Sequence, residues 1–432
     1  MLSRPRFSPF RGREGDQKLT YDLVYHGLIY DINGLRKGTL AIGDGVIKRV
    51  LSTIDYSIKG ETMIKNDKDY VIAFPGFIDM HVHLRDFNQK DKEKIETGTK
   101  ALARGGITLA CEMPNTTPPL NSVETINKRV EELDKRSLID VLVFAGINND
   151  FRENEIILMH ERVIGFKVYP STLYLIDSLP LKQLNKYNKV IVLHPEEPFM
   201  INKWFSVYDV DNRRPLDAEI WAVRHLGEKI EGTGVRAHIT HITSALTMYE
   251  ARRYGFSVDT CPHYFLLDSL IAKVKYCLAK VLPPIRDPSI TAMLRMIVRS
   301  GTLDAITSDH APHTWYEKEG SPLTCSPGIN AGELTVRLLS LVIGKNIDLL
   351  YKYMVLGPTR ILGLARYGAF IPGYRGNITI IDFSRKHLVR SLDLLTLNKY
   401  SIYDGYFLPC DIFATIVKGR IIYSMKDIEE KA

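Results

Sequence analysis

The sequence predicts an α/β fold, a (β/α)₈ TIM barrel with a small β-sandwich domain formed by both chain ends. Three observations support this fold class. The middle of the chain alternates short apolar strands with segments of helical periodicity. Both ends instead show short strands broken by turn residues. At 432 residues the chain is long enough for one large α/β domain with a smaller domain appended.

The middle region contains eight strand-like runs, each followed by a segment that favours helix or loop. The predicted strands are 73–81, 107–113, 139–146, 163–169, 189–194, 235–241, 256–261 and 303–309. Helical patterning is clearest at 93–104, 123–135 and 244–254. Because a (β/α)₈ barrel carries its active site at the carboxyl ends of its strands, chemically active residues should lie where these runs end.

The two chain ends share a different texture. Between residue 21 and about residue 73, strands alternate with turns, and Asp44-Gly45 is a hairpin turn signal. Similar strands return at 376–383 and 412–423. Neither end is long enough to bury a core alone, so we predict one composite β-sandwich from residues 19–72 and 369–428, around a barrel at 73–368. Residues 1–18 carry four arginines but no apolar core, which predicts a disordered tail.

Composition limits the classes of partner. Hydrophobic residues make up 45% and charged residues 25% of the chain, as in ordinary globular proteins. No apolar run reaches the roughly 18 to 20 residues that span a bilayer. The net charge of +7 is modest, and its lysines and arginines are interleaved with acids. We therefore expect neither a nucleic acid nor a membrane as a partner.

Cysteine usage indicates the redox compartment. The five cysteines, Cys111, Cys261, Cys277, Cys325 and Cys410, are scattered and show no Cys-x-x-Cys spacing. This pattern argues against a disulfide framework and against a structural zinc knot. A reducing, cytoplasmic location is therefore expected.

Six residues whose side chains can bind metals end the predicted strands. His81 and His83 end the first strand and, two positions apart, point to the same face. A His-x-His pair alone is more often two packed or solvated histidines. The other candidates are Lys167, His194, His241 and Asp309, which end the fourth, fifth, sixth and eighth strands. Four imidazoles and a carboxylate suit zinc or a similar divalent ion, and they are too many for one catalytic site with an open position, so the pattern predicts two metals.

Lys167 is the unusual member of this set, because an ammonium would repel two dications. Burial in a barrel mouth lowers the pKa of a lysine, and a neutral amine can take up carbon dioxide to form a carbamate. We therefore predict that Lys167 is carboxylated and bridges the two metals. The alternative, a lysine paired with an acid, is the commoner arrangement for a lone buried lysine.

The motifs together carry a family resemblance. They are His81-Val82-His83-Leu84-Arg85, Met113-Pro114-Asn115-Thr116, Gly165-Phe166-Lys167, Cys261-Pro262-His263, Pro283-Pro284-Ile285-Arg286 and Ser308-Asp309-His310-Ala311-Pro312-His313. In this order the chain resembles the dihydroorotases, of the cyclic amidohydrolase branch of the amidohydrolase superfamily. His-x-His alone marks only the superfamily.

The resemblance implies the reversible cyclisation of N-carbamoyl-L-aspartate to L-dihydroorotate in pyrimidine biosynthesis. It implies one zinc ion held by His81, His83, carboxylated Lys167 and Asp309, and a second held by Lys167, His194 and His241. Asp309 would also be the catalytic acid and base. The substrate carboxylate would be bound by Arg85, Asn115 and His313, and a homo-oligomer or an association with aspartate transcarbamoylase is expected.

The chain departs from the family pattern at three places. Leu282 stands where the family usually has Asn, Asp86-Phe87 follows the His-Leu-Arg motif in place of Glu-Pro, and Pro195 follows His194. Leu282 cannot donate a side-chain hydrogen bond, which leaves recognition of the ring open. A hydantoinase- or allantoinase-like hydrolase is the alternative within enzymes, and a non-catalytic dihydroorotase-like subunit is the alternative outside them. Such a subunit would be expected to have lost ligands, whereas all six are present.

Three further histidines and one loop have ordinary interpretations. His238 and His263 are predicted to be structural or to support a ligand, and His310 is predicted to orient Asp309 or to pack. The loop at 314–327 either closes over the substrate or is a plain surface loop.

Overall fold

The structure, a computed structural model, describes residues 21–425. The tail predicted at 1–18 lies outside the described residues. The described chain opens with five strands: β1 (Tyr21–Asp31), β2 (Gly34–Gly43), β3 (Val46–Leu51), β4 (Gly60–Lys65) and β5 (Val71–Pro75). β1 pairs antiparallel with β2, and β2 pairs with β3 across Asp44-Gly45. Both of these turn residues have positive φ, as the predicted hairpin requires.

Eight parallel strands form the barrel. They are β6 (Phe77–Val82), β7 (Ile107–Glu112), β8 (Asp140–Gly146), β9 (Val163–Val168), β10 (Val190–Leu193), β11 (Ala237–Ile239), β12 (Ser257–Thr260) and β13 (Ala305–Ile306). They are hydrogen-bonded in chain order from β6 to β13. A parallel bridge between Val82 and His310 joins the last strand's end to the first strand. The predicted TIM barrel is therefore confirmed.

Helices follow the barrel strands and pack around them. They are α1 (Ile95–Arg104), α2 (Val123–Arg136), α3 (Phe151–Met159), α4 (Leu181–Leu184), α5 (Val210–Arg213), α6 (Leu216–Ile230), α7 (Ala245–Arg253), α8 (Pro262–Leu266), α9 (Ser269–Lys275), α10 (Pro288–Ser300), α11 (Trp315–Lys318), α12 (Thr335–Ile343), α13 (Ile347–Tyr351) and α14 (Gly357–Leu362). The three helices with the clearest sequence pattern, α1, α2 and α7, lie where they were predicted.

Both chain ends contribute to one mixed sheet, so the predicted composite β domain is confirmed. The later strands are β14 (Ile378–Asp382), β15 (His387–Leu388), β16 (Phe407–Leu408), β17 (Asp411–Val417) and β18 (Arg420–Ser424). The sheet has the order β18-β17-β14-β5-β1-β2-β3, with β4 also paired to β1, and β15 pairs separately with β16. β5 thus lies between an early strand and a late one. The domain limits at residues 73 and 368 stay a prediction.

The apolar run predicted as one strand at 73–81 is two strands that belong to different sheets. Gly76 separates β5 from β6, and its N–H donates to the carbonyl of Asn377 at 2.9 Å. A Cβ at this position would collide with Thr108 and Asn377, so only glycine allows the two sheets to approach this closely. The chain passes directly from the composite sheet into the first barrel strand.

The interior of the barrel is filled by apolar side chains such as Ile78, Leu109, Phe144 and Val192. This packing closes the barrel below the strand ends and leaves the polar residues at their carboxyl ends. Among residues 21–425, no helix combines the length and the apolar character that crossing a membrane requires.

Candidate metal centre and active site

The six predicted metal ligands meet at the carboxyl ends of the barrel strands, and all six are buried. Nε2 of His81 and Nε2 of His83 lie 3.3 and 3.1 Å from Oδ1 of Asp309. The ring centroids of His81 and His241 are 5.0 Å apart, and those of His194 and His241 are 4.7 Å apart. The imidazoles therefore form a continuous cluster across the mouth of the barrel.

The hydrogen bonds of His83 identify the atoms that face a cation. Its Nδ1 lies 2.7 Å from Oδ1 of Asn115, and because an amide oxygen only accepts, this nitrogen carries the proton. Nε2 then presents a lone pair to the carboxylate oxygen of Asp309, and two acceptors in contact repel each other unless a cation lies between them. Ligand atoms of His81, His83 and Asp309 all lie within 4.8 Å of one another, which fits a metal site.

The second part of the cluster contains polar atoms that lack a partner. Among the described residues, Nζ of Lys167 and Nδ1 of His241 are buried and have no hydrogen-bond partner. Such atoms are costly unless a ligand or a modification satisfies them. Burial lowers the pKa of Lys167 to about 7, so a substantial fraction of its amine is neutral near neutral pH.

His194 is oriented by a buried carboxylate. Its Nε2 donates to Glu196 at 2.6 Å, which leaves the lone pair of Nδ1 free. Glu196 is held in turn by the guanidinium of Arg214, through bonds to both carboxylate oxygens. Burial alone would raise the pKa of Glu196, but the bond from His194 and the charge of Arg214 lower it to about 2. Glu196 is therefore a permanent anion behind His194.

The electrostatics of the imidazoles suit metal binding. Burial lowers the pKa of His83 and His194, and burial together with nearby positive charge lowers those of His81 and His241 further, well below the ordinary value. Neutral imidazoles are the form that coordinates a metal. With the carboxylate of Asp309, this donor set fits a divalent metal centre of the zinc type.

Two of these residues and a neighbour have unusual backbone geometry. Arg85, His241 and Asp309 have φ values of 53°, 43° and 46°, in the left-handed region that few non-glycine residues occupy. Strain of this kind persists where the surrounding structure enforces it, and it is concentrated at functional sites.

A cavity of about 790 Å³ opens above the cluster, and Arg85, Asn115 and His313 line it. Nε of Arg85 donates to the carbonyl of Pro312 at 3.1 Å, and Nη2 donates to Nε2 of His313 at 3.2 Å. Burial lowers the pKa of His313 to about 4, and its Nδ1 lies 3.2 Å from Oε2 of Glu317 while its Nε2 lies 3.0 Å from the carbonyl oxygen of Pro327. Within residues 21–425, Arg85 forms no ion pair with a carboxylate although it is only 6% exposed.

Comparison with known proteins agrees with this geometry. The model of the Amidohydrolase family matches residues 72–163. The dihydroorotase of Saccharolobus solfataricus is 32% identical over 359 residues, covering 81% of this chain and 84% of the relative. The chain belongs to the amidohydrolase family.

Two further comparisons extend the set of similar proteins. The allantoinase of Bacillus velezensis is 27% identical, covering 94% of each chain. The solved L-hydantoinase of Arthrobacter aurescens superposes with a TM-score of 0.85 at 20% identity, covering 95% of this chain and 98% of that one, which supports the fold. This amidohydrolase is thus a cyclic amidohydrolase of the dihydroorotase, hydantoinase and allantoinase group.

Several residues of the amidohydrolase site were not singled out from the sequence as supporting groups. Glu196, two positions after His194, and Thr240, directly before His241, form hydrogen bonds to the predicted ligands His194 and His81, respectively. Asp259 lies on β12 and bonds to Thr240. A charged residue inside an apolar strand was the signal available for Asp259.

Other motif residues lie away from the ligand cluster. Arg286, of the Pro-Pro-Ile-Arg motif, is buried against Glu219. The Nε2 atom of His310 lies 3.7 Å from Oε2 of Glu93. Asp86 accepts from the N–H of Ile95 at 3.1 Å, so this departure from the family pattern anchors the loop after Arg85 to α1.

The loop at 314–327 is tied down beside the amidohydrolase cavity. Cys277 and Cys325 form a disulfide between this loop and the segment after α9, with a Cα–Cα distance of 5.8 Å. The sequence argument against a disulfide framework did not anticipate this pair, because the two cysteines are 48 positions apart with no diagnostic spacing. Cys111, Cys261 and Cys410 are free and buried.

Proposed function

We propose that this cyclic amidohydrolase is a dihydroorotase, which interconverts N-carbamoyl-L-aspartate and L-dihydroorotate in pyrimidine biosynthesis. Arg85 carries the proposal. A buried guanidinium that faces a cavity without a carboxylate partner is costly, and a substrate carboxylate would satisfy it by a bidentate, charge-assisted contact. Both substrates of a dihydroorotase have such a carboxylate. A hydantoin with an apolar substituent has none.

The proposed carboxylate site is lined by three side chains, of which Arg85 and Asn115 supply the donors and His313 supports Arg85. Arg85 supplies the charge, and His313, which accepts from Arg85, holds the guanidinium in the cavity. Oδ1 of Asn115 is engaged by His83, so Nδ2 is the atom available to the substrate. Because these side chains come from the loops after β6, β7 and β13, they would grip the carboxylate from separate directions.

The proposed cofactor is a pair of zinc ions, which carboxylated Lys167 would help to hold. The neutral amine adds to carbon dioxide, forming a C–N bond and releasing one proton, and the product is an anionic carbamate in place of a neutral amine. His81, His83, the carbamate and Asp309 would hold one ion, and the carbamate, His194 and His241 the other. Bound there, the ions would polarise the amide carbonyl and acidify a water molecule.

Asp309 is the proposed proton carrier. In the ring-opening direction its carboxylate accepts a proton from the attacking water and delivers it to the leaving amide nitrogen. In the cyclisation the same proton moves back. Arg85 and Asn115 orient the substrate during both transfers, and the cavity wall holds the ring against the ligand cluster.

One observation favours a second candidate, a hydantoinase-like hydrolase. Leu282 lines the cavity and presents an aliphatic side chain where the family usually has a hydrogen-bonding one. An apolar substituent on a five-membered ring would pack against it. A non-catalytic subunit is disfavoured because all six proposed ligands are present and clustered. A cytoplasmic location and association with itself or with aspartate transcarbamoylase stay predictions.

The deciding experiment is a side-by-side assay of the zinc-replete protein. L-Dihydroorotate, N-carbamoyl-L-aspartate and 5-isopropylhydantoin are compared by kcat/KM at equal metal occupancy. We expect turnover of the first two and little of the third. A protein that prefers the uncharged hydantoin would overturn the assignment in favour of the second candidate.

A further inference from the structure

We propose that Asp259, acting through Thr240, is a positioning residue of the metal centre. It fixes the protonation pattern of one ligand, His81, and the backbone of another, His241, and so sets the affinity for metal. This inference rests on the metal centre of the proposed function but not on the identity of the substrate.

Asp259 is the hub of a buried hydrogen-bond network. Its carboxylate accepts from Nε2 of His238 at 2.7 Å and from Oγ1 of Thr307 at 3.0 Å. It also accepts from Oγ1 of Thr240 at 3.1 Å and from the N–H of His241 at 2.6 Å. The donors come from β11, from the turn after it and from the segment after β13. One carboxylate on β12 therefore connects three neighbouring barrel strands.

The direction of the protons follows from this network. A threonine hydroxyl has one hydrogen, and Thr240 donates it to the carboxylate of Asp259. Oγ1 of Thr240 must then accept from Nδ1 of His81, 2.8 Å away. This places the proton of His81 on Nδ1 and the lone pair on Nε2, the atom that lies 3.3 Å from Asp309. The hydrogen bonds from His81 to Thr240 and from Thr240 to Asp259 thus fix the tautomer of His81 that can bind metal.

The same carboxylate holds the second ligand through the main chain. His241 has a φ of 43°, which a non-glycine residue adopts only under constraint. The bond from its N–H to Asp259 is the shortest in the network at 2.6 Å and opposes relaxation of this turn. Loss of Asp259 would release the backbone of His241 together with the ring of His81.

A merely structural role for Asp259 is the competing explanation, and the chain offers a matched pair of variants that separates the two. Thr240 and Thr307 each donate one buried hydroxyl to Asp259. Only Thr240 also accepts from a proposed metal ligand. Thr240→Val and Thr307→Val therefore remove equivalent bonds to the carboxylate but differ in their effect on His81.

The experiment measures the affinity of the metal-free protein for zinc and cobalt(II) by chelator competition. Thr240→Val should weaken binding by about 10- to 100-fold, the range typical of lost ligand support, while Thr307→Val weakens it by less than about tenfold. Thr240→Ser keeps the hydroxyl and should restore the affinity. Equal losses in the two valine variants, or no loss in Thr240→Val, would overturn the proposal.

A spectroscopic readout separates positioning from folding. The visible absorption of the cobalt(II) protein reports ligand geometry, so it should change in Thr240→Val and stay as in the wild type in Thr307→Val. If Asp259→Asn fails to fold, the threonine pair still decides the matter. Because metal affinity is measured without substrate, failure of the dihydroorotase assignment would leave this result intact, and the two are distinguishable.

Discussion

The barrel buries two clusters of polar side chains that differ in whether their atoms have partners. In the wall of the barrel, Arg286 donates to Glu219 at 2.9 Å, to Oγ1 of Thr243 at 3.0 Å and to the carbonyl of Arg214 at 2.6 Å. Glu219 also accepts from Thr243 and from Thr247. At the mouth, by contrast, Lys167 and His241 have buried atoms without partners among the described residues.

This difference distinguishes a structural cluster from a functional one. A saturated network gains nothing from a ligand, so the wall cluster contributes to folding alone. The mouth cluster contains groups that could form further hydrogen bonds or bind a metal. Burying them without partners lowers stability, and a bound metal would offset that loss. Substitutions in the mouth should therefore change function more than stability, and substitutions in the wall should do the reverse.

Lys167→Ala tests the mouth with the largest expected effect. We expect loss of most bound metal and a fall in kcat of at least about 10³-fold, with partial rescue by short carboxylic acids that replace the carbamate. Metal content by atomic emission and steady-state kinetics are the measurements. The free energy of unfolding of the metal-free variant should lie within about 2 kcal/mol of that of the metal-free wild type. The packing lost with the side chain is offset because a buried amine without a partner is removed. Two metals per chain and full activity would contradict the prediction.

Arg286→Met tests the wall. It leaves the buried carboxylate of Glu219 without its charge partner, so the free energy of unfolding should fall by about 3 to 5 kcal/mol. Urea denaturation of metal-free protein measures this. Where the variant remains folded, its affinity for metal should lie within about tenfold of that of the wild type. If Arg286→Met lost metal affinity as severely as Lys167→Ala, the distinction between the clusters would fail.

Arg85→Met separates substrate binding from metal binding within the mouth cluster, because the proposed role of Arg85 is to bind the substrate carboxylate and not the metal. We expect kcat/KM for L-dihydroorotate to fall about 100-fold, or about 2.7 kcal/mol, with both metals retained. Hydrolysis of an uncharged hydantoin by the same variant serves as the control, and kcat/KM for that substrate should not fall. An unchanged kcat/KM for dihydroorotate would refute the carboxylate contact.

Within the described chain, Lys318 has hydrogen-bond partners, like the wall cluster, but no charge partner, like Lys167 at the mouth. Its substitution is expected to have the smallest effect, a change in how stability depends on pH. Lys318 is 3% exposed, and its Nζ donates to the carbonyls of Ser326 and Gly328, each at 2.9 Å, while no carboxylate among residues 21–425 forms an ion pair with it. Burial lowers its pKa to about 7. Between that value and the pKa of about 10.4 of an unfolded lysine, the unfolded chain binds the extra proton, so stability rises with pH.

The matching measurement is urea denaturation of metal-free wild type and Lys318→Met at pH 7.5, 8.5 and 9.5. The variant should lack up to about 1.4 kcal/mol per pH unit of the rise seen in the wild type. The difference between the two proteins removes the contributions of other titrating groups. Parallel pH profiles would show that Lys318 is protonated in the folded state.

Much of the fold was predictable because it depends on local pattern. The alternation of apolar strands and amphipathic helices indicated all eight barrel strands, and Asp44-Gly45 indicated a hairpin. The break at Gly76 was missed, although Pro75-Gly76 is a turn signal, because periodicity does not show which sheet a strand joins. In the structure the two strands have different partners, β14 for β5 and β7 for β6.

The clustering of the proposed ligands could be predicted because they end strands, whereas the residues that support them could not, because they are remote in sequence. His81 and His83 are adjacent on one face, and barrel topology brings Lys167 and Asp309 to the same mouth. Asp259 was missed because its partners on β11 and after β13 are identified only once those strands are neighbours. The Cys277–Cys325 disulfide was missed for the same reason.

The position of β5 between β1 and β14 has a consequence for synthesis on the ribosome. The N–H of Phe77, at the start of the strand that carries His81, donates to Oγ1 of Thr379, which is 302 positions later. At 5 to 20 residues per second, the nascent chain waits roughly 15 to 60 s for that partner. Until then β5, whose five residues are all buried in the finished protein, presents an open apolar edge. The start of β6 thus gains this contact with the composite sheet only after β14 has emerged from the ribosome.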